Sequence, residues 1–131
     1  PALSPDGARV AFSGYRNGTW DVYVVDSNPK GAGNLVKLTD SPAGSLSMVP
    51  AWSPDAKRVA FESDRGDASG SGYTAIYVMD AAAPGSAATR LTFSQQNDIG
   101  GWRLAAVLVV WRGCFLDVGQ GGMVGIRGFR G

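Results

Sequence analysis

The residues able to do chemistry in this chain are few, and their types exclude most catalytic sites. The 131 residues contain no His, which removes the usual general base at neutral pH and the commonest metal ligand. Neither a Ser-His-Asp nor a Cys-His site can be assembled from such a chain. Cys114 is the single cysteine; without an imidazole partner it reads as an inert thiol, and it can form no internal disulfide. Gly70-Ser71-Gly72 lacks the Lys that a phosphate cradle needs and reads as a flexible loop. Asp26 and Asp80 end apolar runs, where Asp typically bonds nearby backbone in a turn. Asp64 and Asp67 lie among small residues that offer too few oxygen ligands at regular spacing for calcium. Arg65-Gly66-Asp67, a tripeptide associated with cell-adhesion receptors, reads here as the turn of its loop. No catalytic residue, metal ligand or cofactor is therefore expected. What remains is recognition, and the candidate binding residues are Tyr15, Arg16, Asp64, Arg65 and Tyr73.

The elements that must position these five residues follow from an internal repeat. Ser4-Pro5-Asp6-Gly7-Ala8-Arg9-Val10-Ala11-Phe12 returns as Ser53-Pro54-Asp55-Ala56-Lys57-Arg58-Val59-Ala60-Phe61. Trp20-Asp21-Val22-Tyr23-Val24-Val25-Asp26 is echoed by Thr74-Ala75-Ile76-Tyr77-Val78-Met79-Asp80, and Val36-Lys37-Leu38-Thr39 by Thr89-Arg90-Leu91-Thr92. The offsets are 49, 54 and 53 residues, so the spacing varies only where Gly, Ser and Asp cluster. Units of this length stack because one alone cannot bury its apolar faces.

Within each unit the signals are for short strands and tight turns. In Ser-Pro-Asp-Gly, Pro presets the backbone, Asp bonds nearby amides and Gly tolerates positive φ. Residues 8–13 and 58–63 read as strands, as do 20–26 and 75–80, 36–39 and 89–92, and Ala51-Trp52. Trp20, Val22 and Val24 point to one face and Tyr23 and Val25 to the other, so the sheet is expected to be covered on both sides. Trp20, Trp52, Tyr23, Tyr77, Phe12 and Phe61 are expected in the core between sheets. Four short antiparallel strands per period, without helical periodicity, predict an all-β fold built as a partial β-propeller. A β-sandwich would use the same strands but has no need to repeat one turn chemistry per sheet. The expected organisation is two four-stranded blades, residues 2–49 and 50–101, followed by a degenerate or disrupted third in 102–131. The five candidate residues fall in residues 14–19 and 64–73. Each of these loops joins the second and third strands of its blade, so both leave the same edge, opposite the Ser-Pro-Asp turns. They differ between the copies, as binding loops on a rigid scaffold do.

The order Trp, Ser-Pro-Asp-Gly, Val-Ala-Phe, Asp-Val-Tyr-Val-Val-Asp and Leu-Thr resembles the TolB-type, WD-repeat-like propeller module over residues 2–93. Trp52, Ser53, Pro54 and Asp55 match its turn; Ala56 departs from the usual Gly, and Ala75 from the Asp that Asp21 supplies. The resemblance implies a non-catalytic scaffold that binds a protein or peptide, in the periplasm or cell envelope. The same module also resembles the gating propeller of prolyl-oligopeptidase-type serine peptidases, whose chemistry sits in a separate hydrolase domain. A propeller sensor fused to a signalling or transcription domain is a third architecture the fold permits.

Composition narrows the partners. Net charge is +1, but residues 1–101 carry eight Lys or Arg against ten Asp or Glu, a balance of −2. That lacks the clustered basic footprint nucleic acid demands. The longest apolar run, residues 104–111, is too short to span a bilayer. Residue 1 is Pro and the first repeat starts at once, which predicts upstream sequence and an incomplete propeller whose open faces self-associate. Residues 102–131 contain no Pro, Ser, Thr, Asn, Lys, Tyr or Glu, and carry four Arg against Asp117. Trp102 falls where a third blade should begin, yet Arg103-Leu104 replaces Ser-Pro. A reading-frame slip in a GC-rich gene predicts this composition; a degenerate blade, with Val109-Val110-Trp111 aligned on Val59-Ala60-Phe61, is the competing account. Residues 113–131, with seven Gly in nineteen, are expected to lack packed structure.

Overall fold

The computed structural model describes residues 1–28, 30, 33–67 and 69–92, together with the backbone of residues 114–118 and 124–128. The first sheet has the order β1 (Ala2–Leu3), β2 (Arg9–Arg16), β3 (Thr19–Asp26) and β4 (Val36–Lys37). The second repeats it with β5 (Ser47–Trp52), β6 (Arg58–Ser63), β7 (Ala75–Asp80) and β8 (Thr89–Arg90). All neighbours are antiparallel. These are the two predicted blades of a partial propeller.

The repeated phrases place equivalent atoms alike. In each copy the Ser hydroxyl donates to the Asp two residues on and accepts the Arg amide, Arg9 N at 3.0 Å and Arg58 N at 2.9 Å. The Asp then accepts the next amide, Ala8 N and Lys57 N, both at 3.1 Å. Serine donation holds Asp6 and Asp55 below the ordinary carboxylate range, helped by those amides. The fourth turn position has φ +71° at Gly7 and +57° at Ala56, so Ala56 occupies a backbone region that disfavours a Cβ.

Register divides each sheet into two faces. Ala11 opposite Val24 and Ser13 opposite Val22 face the second sheet, which answers with Val59 opposite Met79 and Phe61 opposite Tyr77. Apart from Ser13, which is half-buried, these residues form the buried core between the blades with Leu38, Trp52 and Ala75. Each large side chain sealed there contributes about 2–3 kcal/mol. One end is clamped: Arg9 donates to Ala56 O at 2.7 Å and lies 4.6 Å from the Trp52 ring centre, while Trp52 Nε1 donates to Ala2 O at 2.9 Å. The other face of the second sheet buries Ala60 and Ile76 with Leu91. On the first sheet the corresponding outer face, with Val10, Phe12 and Val25, is only half-buried.

Two expectations change. Residues 14–19 are not a loop: β2 and β3 run on to Arg16 and Thr19, leaving Asn17-Gly18 as the turn. The fifth strand begins at Ser47, and its register shifts between Met48 and Ala51, where Val49 has φ +54°. Of residues 113–131, β9 (Cys114–Val118) and β10 (Val124–Gly128) pair antiparallel. Trp102, Arg103 and Val109-Val110-Trp111 lie outside the described residues.

Candidate functional site

The site begins at the tip of the β2–β3 hairpin. Asn17 and Gly18 both have positive φ, 51° and 82°, the backbone of a two-residue type I′ turn. That turn lets the ladder run to the tip, with Tyr15 opposite Trp20 and Arg16 opposite Thr19. The Tyr15 and Trp20 rings meet at 5.4 Å and 50°, and remain 61% and 38% exposed. Sequence reasoning placed Trp20 in the core; the structure puts it at the surface. The signal was present, because the repeat sets Thr74 where the first copy has Trp20, whereas the buried aromatics recur. Arg-Asn-Gly-Thr was likewise a readable hairpin signal.

Behind the tip lies a buried polar network that sequence reasoning did not anticipate. Asp21 is fully buried and accepts from Thr19 Oγ1 at 3.0 Å, Thr39 Oγ1 at 2.8 Å and Ser41 N at 2.9 Å. Lys37 completes its shell at 3.0 Å. Burial works to raise this carboxyl, but the bonds from Ser41, Thr39 and Lys37 outweigh it and hold the group below the ordinary range. Lys37 is raised in return, chiefly by Asp21. Thr39 Oγ1 also accepts Val22 N at 2.9 Å, so β3 is tied to the segment after β4. Every bond of Asp21 serves its own sheet.

The matching edge of the second blade holds the other three candidates. Asp64 accepts Leu46 N at 2.8 Å and fixes the segment entering β5. Arg65 turns inward: its guanidinium lies 5.1 Å from the Phe61 ring centre and 5.6 Å from that of Tyr77, with Nε on Ser63 Oγ at 3.1 Å and Nη2 on Ser47 Oγ at 2.8 Å. Asp67 organises the loop by accepting Ser69 N and Tyr73 N, each at 3.0 Å. The Ser69 hydroxyl is the main reason its carboxyl titrates low. Tyr73 is 40% exposed. Tyr15, Arg16 and Tyr73 thus face solvent, while Asp64 and Arg65 are engaged within the blade. Among the described residues no group of three or more His, Cys, Asp or Glu could hold a metal ion.

One cavity adjoins the tip, with a volume of about 200 Å³, lined by Phe12, Gly14, Tyr15, Arg16, Tyr23 and Leu35. That is room for a single large side chain, below the size of ordinary cofactor pockets. Arg16 is the only charged residue of the lining, and among the described residues it has no ion-pair partner.

Comparisons with known proteins agree with this architecture. No curated protein matches the chain. A solved structure of a protein assigned as TolB from Agrobacterium tumefaciens superposes with a TM-score of 0.57 at 25% identity over 73% of this chain. The chain spans 30% of that protein. The family model of the TolB β-propeller domain matches residues 1–106, and the chain accordingly belongs to the TolB β-propeller domain family.

Proposed function

We propose that this domain is a non-catalytic scaffold of the cell envelope that binds a protein or peptide at the hairpin-tip edge of its blades. The exposed Tyr15–Trp20 pair beside Arg16 carries the reading. Aromatic residues and Arg dominate the energetics of protein interfaces, because they offer large rigid area and a planar charged group. The pair also supports the hairpin as directly opposed cross-strand rings do, but its outer surface stays open to a partner. Tyr73 on the matching edge of the second blade extends the same surface. Envelope placement rests on the family resemblance, as does the absence of catalysis, which the lack of His in the sequence supports.

The test compares the proteins that wild type and a Tyr15→Ala/Trp20→Ala variant cross-link in an envelope extract. Loss of a discrete cross-linked species, with the thermal midpoint within a few degrees of wild type, is the expected result. An unchanged cross-linking pattern would place the binding surface elsewhere.

A further inference from the structure

Two of the five candidate residues, Asp64 and Arg65, make bonds that lead out of their own blade to Trp20. The segment linking the sheets, residues 38–46, passes beside the hairpin tip. Trp20 and Leu46 form a parallel bridge there, and Ser41 Oγ donates to Trp20 O at 3.1 Å. The second blade grips that segment at two points. Asp64 accepts Leu46 N at 2.8 Å. Arg65 Nη2 donates to Ser47 Oγ at 2.8 Å, and Ser47 Oγ bonds Ser41 Oγ, again at 2.8 Å. A hydroxyl carries one proton and a guanidinium only donates, so this chain of bonds runs one way, from Arg65 through Ser47 and Ser41 to the Trp20 carbonyl.

The groups at the root of this grip are firmly seated. Ser47 is fully buried, and Ser63, which accepts Arg65 Nε at 3.1 Å, is 1% exposed. The guanidinium lies half-buried over the Phe61 and Tyr77 rings. Burial pulls its pKa down, and Tyr77, Asp21, Asp40 and Asp64 act against that loss. Asp21 of the first blade thus favours a charge lodged in the second. Gly66 packs so closely on Tyr77 that a Cβ would collide with the ring hydroxyl, which keeps the backbone after Arg65 down on the sheet. Arg65-Gly66-Asp67 is therefore rooted inward and not displayed as a free tripeptide.

We infer that Asp64 and Arg65 are positioning residues for the aromatic tip: through Leu46 and the Ser47–Ser41 pair they hold Trp20 against the second blade, so that a partner meets a surface already formed across two blades. One residue fixes the backbone of the linking segment, and the other reaches the carbonyl of Trp20 itself. Two points of hold on one segment resist both sliding and rotation, which a single bond does not. The bonds are charge-assisted at Asp64 and at Arg65, the stronger kind. Without this grip Trp20 moves with the end of its hairpin, and a partner bears the entropy of ordering it. The inference rests on the reading of the tip as a binding surface and assigns the residues that preorganise it.

The test uses the full chain labelled with 5-fluorotryptophan, in which Trp20 is one of four indoles and Trp20→Phe identifies its 19F resonance. Asp64→Ala and Ser47→Ala should each move that resonance. Asp64→Ala should also speed hydrogen exchange of the Leu46 amide about tenfold, roughly one charge-assisted bond. Asp64→Asn keeps an acceptor and should restore both readings. Val78→Ala, which weakens the second blade on the face turned away from the first, should move neither. A Trp20 resonance unmoved by Asp64→Ala and Ser47→Ala overturns the proposal, as does one that Val78→Ala moves equally. Cross-linking in the envelope extract separates positioning from binding. Where Tyr15→Ala/Trp20→Ala removes the cross-linked species, Asp64→Ala/Ser47→Ala should lose most of it, and wild-type yield from that variant overturns the positioning role. Where the tip variant leaves the pattern unchanged, the binding reading fails and the 19F result alone decides whether Asp64 and Arg65 position Trp20.

Discussion

The two blades share turns and aromatic stacks but place their buried charge differently. In the first, Asp21 on β3 is sealed in a shell of Thr19, Thr39, Ser41 and Lys37. In the second, Ala75 stands at that position, and the buried carboxylate is Glu62 on β6, accepting from Thr74 Oγ1 at 2.8 Å. Arg65 lies over its aromatic pair, whereas Arg16 leaves its own uncovered. Both blades keep the bond that crosses to the last strand, Val22 N to Thr39 Oγ1 and Ile76 N to Thr92 Oγ1, each 2.9 Å. The scaffold thus depends on the turn, the stack and the threonine, while the charged positions differ between the blades.

The largest expected effect tests the stacks. Phe61 is 1% exposed between two sheets, so Phe61→Ala should cost about 4 kcal/mol, the transfer term plus a cavity. Phe12, half-buried on the outer face, should lose about half as much. Equal losses by chemical denaturation would mean the outer face is covered in solution. That face, with Leu3 at 62% and Leu35 at 50% exposure, is where the isolated chain should self-associate. Sedimentation velocity should show concentration-dependent growth that Phe12→Glu reduces.

Next comes the buried acid. Asp21→Ala strands the Ser41 amide and the Thr39 hydroxyl, and should cost about 2–3 kcal/mol. Ala75 in the second blade shows that the sheet itself survives such a residue. The loss should also appear in the pH profile. Folding lowers the Asp21 pKa, so between its folded and unfolded values the unfolded chain binds the extra proton. The stability is fully present above the unfolded value, about pH 4, and is lost as pH falls through the folded value. Asp21→Asn should flatten that acid limb. Asp6, Asp55 and Asp67 shift in the same direction, so it should not vanish. A profile identical to wild type would mean Asp21 is not charged in the folded chain.

A smaller effect separates the two arginines. Arg65→Ala removes two hydrogen bonds and a cation stacked on two rings, about 2 kcal/mol together. Arg16→Ala touches no partner and should stay within about 0.5 kcal/mol. If both lower the thermal midpoint alike, Arg16 is engaged as Arg65 is.

Repetition explains what the sequence made legible. Strands β2, β3, β6 and β7 and both Ser-Pro-Asp turns could be placed because the same residues recur, and recurrence marks what one blade needs from the next. Residues without a counterpart were harder. Trp20 looked like core when judged by type, although Thr74 in the second copy argued otherwise. Arg16 and Arg65 were both binding candidates, yet one is exposed and the other inserted, where Ser63 and Ser47 hold Arg65 with hydroxyls and Gly14, at the position of Ser63, has none to offer Arg16. The Asp21 shell was illegible for a different reason: its donors come from residues 19, 37, 39 and 41, and only the pairing of β3 with β4 brings them together. Hydrogen-bond geometry of that kind has no periodicity to read.

The smallest effect concerns the one place where the repeated turns disagree, and it isolates backbone from side chain. Gly7 has φ +71° with open space around a would-be Cβ. Gly7→Ala therefore changes nothing but conformational strain, and should cost about 1 kcal/mol. Ala56 already bears that strain at φ +57°, but the residue is buried beside the Arg9–Trp52 clamp. Ala56→Gly would relieve about 1 kcal/mol of strain and lose a comparable amount of apolar burial. The net change should lie within about 0.5 kcal/mol of zero. The turn positions are equivalent, so the difference between the two substitutions measures the packing of a single methyl at the blade interface. A gain near 1 kcal/mol for Ala56→Gly by urea denaturation would show that the methyl contributes nothing, and that the clamp rests on the Arg9 bond and the Trp52 ring alone.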